Sequence, residues 1–266
     1  MLSGFLTHPR QKEDTMSLDT LLLNPWLWLG LFILLAYTIE AITGFGSIVI
    51  ALSLGALLLP IPAMLPVLVP LNICMSGYLA WRNRQHIHWP TLLKLILPLM
   101  LIGMLLGYGL RPWLSGELLK ALFGVLVLWF AGRELLRMFR GHISPPHPSW
   151  LSRSLTLGAG LTHGLFASGG PLLVYALAGT RLDKSQLRAT LISVWFTLNS
   201  SMTVLFLLDG SLLPNLPRIA SYLPLLVIGV VLGEVLHHRL NEQRFRQVVY
   251  SLLVVTGVLL LGKALL

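Results

Sequence analysis

From Leu21 onward the chain alternates between apolar runs of about twenty residues and short polar stretches. Eight long apolar segments cover about 25–43, 63–81, 91–110, 117–138, 150–167, 185–208, 217–236 and 242–264. Each has roughly the 17–25 residues that a helix needs to cross a bilayer. Two shorter apolar pieces remain, about 47–59 and 171–179. A helix as long as the first of these rises only ~20 Å, against a hydrocarbon core of ~30 Å. Each short piece follows a break: "TGFGS" at 43–47 and "ASGGP" at 167–171. The expected fold is therefore an all-α polytopic membrane protein of eight long transmembrane helices and two short half-helices.

Composition agrees with this pattern. Of 266 residues, 55% are hydrophobic and only 11% are charged, where soluble domains carry about 25% charged residues. The mean hydropathy is +0.79. The polar stretch before Leu21 reads as a tail (1–20), and the first apolar run as a retained span rather than a cleaved signal. Cys74 is the single cysteine, which excludes an internal disulfide and the paired thiols of a membrane redox carrier.

Charge decides how the short pieces fit. Fusing 25–59 into one crossing would make a helix of ~52 Å, too long without steep tilt. Bending it into a hairpin returns the short piece to the side from which it came. With hairpins, the loops near 82–94, 133–153, 181–188 and 239–246 share one side and hold 13 of the 19 Lys and Arg. Basic residues concentrate in cytoplasmic loops. The hairpin arrangement thus puts these loops in the cytoplasm and both termini outside. The net charge of +9 is then a topology signal, not a nucleic-acid surface.

The chain also repeats itself. "PLMLIGMLLGYGL" (98–110) matches "PLLVIGVVLGEVL" (224–236) at seven of 13 positions, with an offset of 126. "LNICMS" (71–76) matches "LNSSMT" (198–203) at an offset of 127, pairing Asn72 with Asn199. "GRELL" (132–136) matches "GKALL" (262–266) at 130. Three ordered blocks at nearly one offset indicate a two-fold internal repeat. The first membrane repeat spans 21–139, a cytoplasmic linker 140–149, and the second repeat 150–266. Five segments per half is an odd number, so the halves are expected to be inverted, as in secondary transporters whose substrate binds between them.

The repeat aligns the two breaks. A broken helix inside a membrane leaves N–H groups that protein, water or ligand must satisfy. The N-terminus of a short helix also carries about half a positive charge. Two such termini, from Gly44, Phe45, Gly46 and Ser47 and from Ser168, Gly169, Gly170 and Pro171, are expected to converge on one anion. Close helix packing through small residues is the competing reading. Glu40 and His163 stand just before the breaks and are the candidates for proton coupling, with His163 the better placed to titrate. Asn72, Ser76, Asn199, Ser200, Ser201 and Thr203 form matched polar clusters that either line the path or bond neighbouring helices. Arg188, about one turn into its span, either attracts the anion or snorkels to the interface. Glu234 is expected to pair with Arg239 or His238.

"GFGSIVIALSLGALLLPI" (44–61) and "GLFASGGPLLVYALAGTRLDKSQLRATLISVWFTLN" (164–199) resemble the two glycine motifs of the sulfite exporter TauE/SafE family. The order of the repeats resembles that family over nearly the whole chain after about residue 20. The resemblance implies transport of a small sulfur-containing anion, of the sulfite or organosulfonate class, across a bacterial inner membrane. Its partners would be that anion and the lipid bilayer, with no nucleic acid, and a second copy of the chain is admissible. No cofactor or metal is expected. "GVLLLGKA" (257–264) imitates a phosphate loop, but Ala264 lacks the hydroxyl for magnesium and no strand precedes it. His86, His88, His237 and His238 have no acidic or cysteine cluster beside them. No nucleophile and base stand at a recognisable spacing, so an enzyme is not expected. A passive anion channel or a membrane assembly factor are the alternative functions.

Overall fold

A computed structural model of the chain describes residues 24–43, 46–140, 148–177, 180, 182–237 and 242–265. Among these residues the regular structure is helical throughout, with no strand. The helices in order are α1 (Pro25–Thr43), α2 (Ser47–Gly55), α3 (Ile61–Arg82), α4 (Leu97–Leu110), α5 (Gly116–Arg140), α6 (Ser149–Phe166), α7 (Gly170–Ala176), α8 (Lys184–Leu208), α9 (Leu216–His237) and α10 (Glu242–Leu265). A turn at Trp89–Thr91 and a π-helical stretch at Leu92–Ile96 extend α4 upstream. The widened turn lies where the ring of Pro98 would otherwise press on the carbonyl four residues earlier.

Among the described residues, six stretches are long and apolar enough to cross a membrane: Pro25–Ile42, Ile61–Arg82, Trp89–Trp113, Ser185–Leu208, Leu213–Leu236 and Gln243–Leu265. Helices also form over the expected segments 117–138 and 150–167, as α5 and α6. These two are less apolar. α5 carries Glu117, Lys120, Arg133, Glu134 and Arg137, and α6 is rich in serine, threonine and glycine.

Both short helices fold back along the helix before them. Ser47, at the start of α2, lies beside Glu40, whereas Gly55, at its end, lies against Leu29. In the second half, Gly169 packs on Ala159 and His163, and Gly158 meets Leu172. Ser152 Oγ then donates to the Ala176 carbonyl at 2.7 Å. Lys263 Nζ reaches the Leu57 carbonyl just past α2 at 2.9 Å. These bonds satisfy carbonyls that a short helix leaves open at its C-terminal end.

Long-range packing follows one scheme in both halves. α4 lies on α6 and α9 lies on α1, while α3 meets α8 and α5 meets α10. Gly103 and Gly107 let the backbone of α4 touch that of α6 near Gly160 and Gly164. Gly229 and Gly233 bring α9 against Leu34, Thr38 and Ala41 of α1 in the same way. Without a hydrophobic drive between helices in lipid, such small-residue seams permit the close packing that holds helices together. α3 and α8 run antiparallel, since Asn72 meets Asn199, Gly77 meets Phe196, and His88 N donates to Thr190 Oγ1. α5 and α10 are antiparallel too: Gly124 meets Gly257, and Phe130 meets Tyr250.

Candidate functional site

α3 and α8 carry the matched asparagines to one point. Asn199 Nδ2 donates to Asn72 Oδ1 at 2.7 Å, and both side chains are almost wholly buried. Asn72 Nδ2 donates to Ser47 Oγ at 3.0 Å and reaches Glu40 Oε2 at 3.5 Å. Ser47 N donates to the same carboxylate oxygen at 3.0 Å. The Tyr37 side chain, one turn before Glu40, faces this cluster. A continuous polar chain thus runs from Glu40 and the start of α2, through two asparagines, into the second half.

The α2 break has the geometry of an exposed helix start. Gly46 is the N-cap, with φ of 102°, and no side chain caps it locally. That left-handed conformation suits glycine and strains other residues. The carboxylate of Glu40 sits on the first N–H of α2, where the helix dipole favours an anion. Gly44 and Phe45 lie outside the described residues.

The second break differs. Ala167 takes a left-handed conformation, and Ser168 Oγ donates to the Phe166 carbonyl at 3.0 Å. Gly170 lies beside the Trp195 ring of α8, one turn before Asn199. His163 stacks on Trp195 with ring centroids 6.0 Å apart. Its two ring nitrogens and Asn199 Oδ1 are buried without a hydrogen-bond partner among the described residues. Pro171 is in the first turn of α7, where its missing N–H costs nothing. Both breaks therefore pack on the α3–α8 pair, from opposite halves.

Other expected residues divide. Ser76 and Ser201 bond back to their own helices, at Asn72 O and Thr197 O. Ser200 is half-buried beside Asn199, and Thr203 Oγ1 is buried without a hydrogen-bond partner among the described residues. An open cavity of about 550 Å³ lies between α1, α3, α8 and α9. Glu40 and Cys74 line its inner part, and Arg82, Asn83, Arg188 and Glu234 stand at the helix ends around its mouth. Arg188 is thus a mouth residue. The expected partners of Glu234, Arg239 and His238, lie outside the described residues.

At the other end of the bundle the helices are tied together. The Tyr108 hydroxyl donates to Asp209, and Arg111 lies over the rings of Tyr108 and Phe206. Arg111 Nη2 also donates to the Gly164 carbonyl at 2.7 Å. Sequence reasoning missed this cluster and the direct contact of the two asparagines. The second had a signal: Asn72 and Asn199 stand at matching places in "LNICMS" and "LNSSMT".

The profile of the sulfite exporter TauE/SafE family matches residues 29–260. The chain belongs to that family. It is also 25% identical over 197 residues to the "Probable inner membrane transporter protein TsaS" of Comamonas testosteroni, covering 71% of this chain and 77% of the relative. No solved structure matches it. The protein is a multi-pass membrane transporter, not an enzyme.

Serine replacements separate the two breaks. Ser47→Ala removes a side-chain acceptor held by Asn72 and leaves the backbone N–H in place. A hydrogen bond from this hydroxyl to a bound anion would contribute ~1.5–3 kcal/mol, so the expected loss of anion affinity is about 10- to 100-fold. Ser168→Ala removes only a local bond and should cost less. Equilibrium binding of a radiolabelled sulfonate to both variants measures the difference, and equal losses would contradict it.

Proposed function

We propose that the chain is a secondary transporter that moves a small sulfur-containing anion, of the sulfite or organosulfonate class, by proton-coupled alternating access. Six full crossings and two hairpins, each of one long and one short helix, form two inverted halves, 21–139 and 150–266, with both termini outside the cytoplasm. The antiparallel contact of repeat-equivalent helices, α3 with α8 and α5 with α10, supports the inversion. The description of the family supports the substrate class.

One observation carries the reading. The polar chain Glu40–Ser47–Asn72–Asn199 joins the two halves between two broken helices, at the inner end of a cavity. Arg82 and Arg188 at the mouth draw an anion inward. Basic loops mark that mouth as cytoplasmic, and the Tyr108–Asp209 tie closes the far end. The conformation is therefore inward-facing. The substrate reaches Ser47, Asn72, Asn199 and Ser200 from the cytoplasm and is held between Gly44–Ser47 and Ser168–Pro171.

Purified protein in liposomes tests this. Sulfite and several sulfonates should show saturable flux, counterflow against unlabelled anion, and acceleration by an imposed pH gradient. Flux that rises linearly with concentration, without counterflow, would make the protein a channel. Absence of flux for every sulfur anion would overturn the substrate class.

A further inference from the structure

The α2 helix start already holds a carboxyl group, and it belongs to the protein. Glu40 is 5% exposed, and its Oε2 takes the first N–H of α2 together with the Asn72 amide. The ion pairs among the described residues use Glu117 and Glu134, not Glu40. A buried carboxylate without a cation is costly, so this one is held by helix-start and amide donors. Those are the donors that a sulfonate would use. Next to them, the buried ring nitrogens of His163 and Asn199 Oδ1 lack hydrogen-bond partners among the described residues, as expected where a further ligand is to be seated.

We infer that Glu40 is a tethered anion in the substrate's place, and that substrate binding requires it to take up a proton and leave the α2 helix start. The inference rests on the proposed anion site. Two negative groups cannot share one set of donors in a low-dielectric site. The protonated acid gives up the Ser47 N–H to the arriving anion and turns into the cavity that it lines. One proton then travels with each monovalent anion, so loading adds no net charge and the site carries the same single negative charge before and after.

The surroundings leave Glu40 as the group that exchanges protons. Tyr37 faces it from its own helix. α2 contributes Ser47, with no titratable group. Across the cavity are Cys74, Tyr78 and Arg82 of α3, Arg188 of α8 and Glu234 of α9. Arg246 of α10 lines a separate cavity on the far side of α1, beside Ile39 and Gly46. His163 is as deeply buried as Glu40 but does not line the open cavity. Protons from the cytoplasm therefore meet Glu40 first.

The test uses the full-length protein in nanodiscs, with radiolabelled methanesulfonate, whose charge is constant across the range. Measured from about pH 5 to about pH 8, the wild-type Kd should rise with pH, by up to about tenfold per pH unit once Glu40 has lost its proton, since each bound anion brings one proton. Glu40→Gln should bind at every pH with little slope, because the amide carries no charge to displace. Glu40→Ala, which empties the position, should behave likewise and guards against a misplaced glutamine. His163→Gln should keep the wild-type slope. In liposomes, Glu40→Gln should exchange anion but lose acceleration by a pH gradient. A wild-type slope in both Glu40 variants would overturn the inference and leave the anion site standing. Failure of wild type and both Glu40 variants to bind the probe would remove the site and the inference together.

Discussion

Gly164→Leu is expected to yield no folded, monodisperse protein. A Cβ at this position would lie 2.2 Å from the Met104 carbonyl oxygen and 2.7 Å from Tyr108 N. Both atoms are backbone of α4 and cannot rotate away. The same seam places a Cβ at Gly103 2.2 Å from Leu157 O, and one at Gly160 2.4 Å from Met100 O. Overpacking of a core costs typically ~1–3 kcal/mol when side chains can adjust. Here two helices must separate, which also breaks the Arg111 bond to the Gly164 carbonyl and the seat of α7 on α6. Gly164→Ala should already lower the melting temperature. Gly132→Ala and Gly262→Ala meet nothing within 4 Å and replace a poor helix former, so each should be neutral or stabilising by up to ~1 kcal/mol. Size-exclusion profiles and thermal unfolding in detergent compare them. A Gly164→Leu protein with wild-type melting would show that α4 and α6 do not touch.

Asn72→Leu should reduce transport by more than about 100-fold in protein that still inserts and folds. Leucine keeps the branched shape and the number of heavy atoms, with bulkier methyl ends. It removes the donor to Ser47 Oγ and Glu40, and the acceptor for Asn199. Three buried polar groups are then left short of partners, at ~1–3 kcal/mol each. Asn199→Leu loses the one bond to Asn72 and should be the milder change, by about tenfold. The double variant should be no worse than Asn72→Leu alone, because the shared bond is already gone. Initial rates in liposomes at matched protein give all three values. Wild-type rates in both single variants would take the asparagine pair out of the transport path.

Much of the local architecture was legible in the chain. Helix ends fell within about two residues of the expected segments, for instance Ile61–Arg82 against 63–81 and Glu242–Leu265 against 242–264. Apolar run length reads directly as helix length where lipid forbids open backbone. The short pieces are shorter still, ending at Gly55 and Ala176. The constant offset of the repeats singled out Asn72 and Asn199 before their contact was visible. Glu40 and His163 stood out as ionisable groups in apolar surroundings.

The sequence by itself determined the helices, their lengths and the two breaks, because each is a property of neighbouring residues. Only the tertiary structure decided which helices meet. A helix that is apolar nearly all round has no preferred buried face, and lipid offers no hydrophobic direction to choose one. Pairing then depends on where small residues allow backbones to approach, as along Gly103, Gly107, Gly160 and Gly164. The seat of Glu40 on the Ser47 N–H, the cavity above it and the Tyr108–Asp209 tie all follow from that packing. The tie joins residues 101 positions apart, a contact between helices that no local pattern encodes.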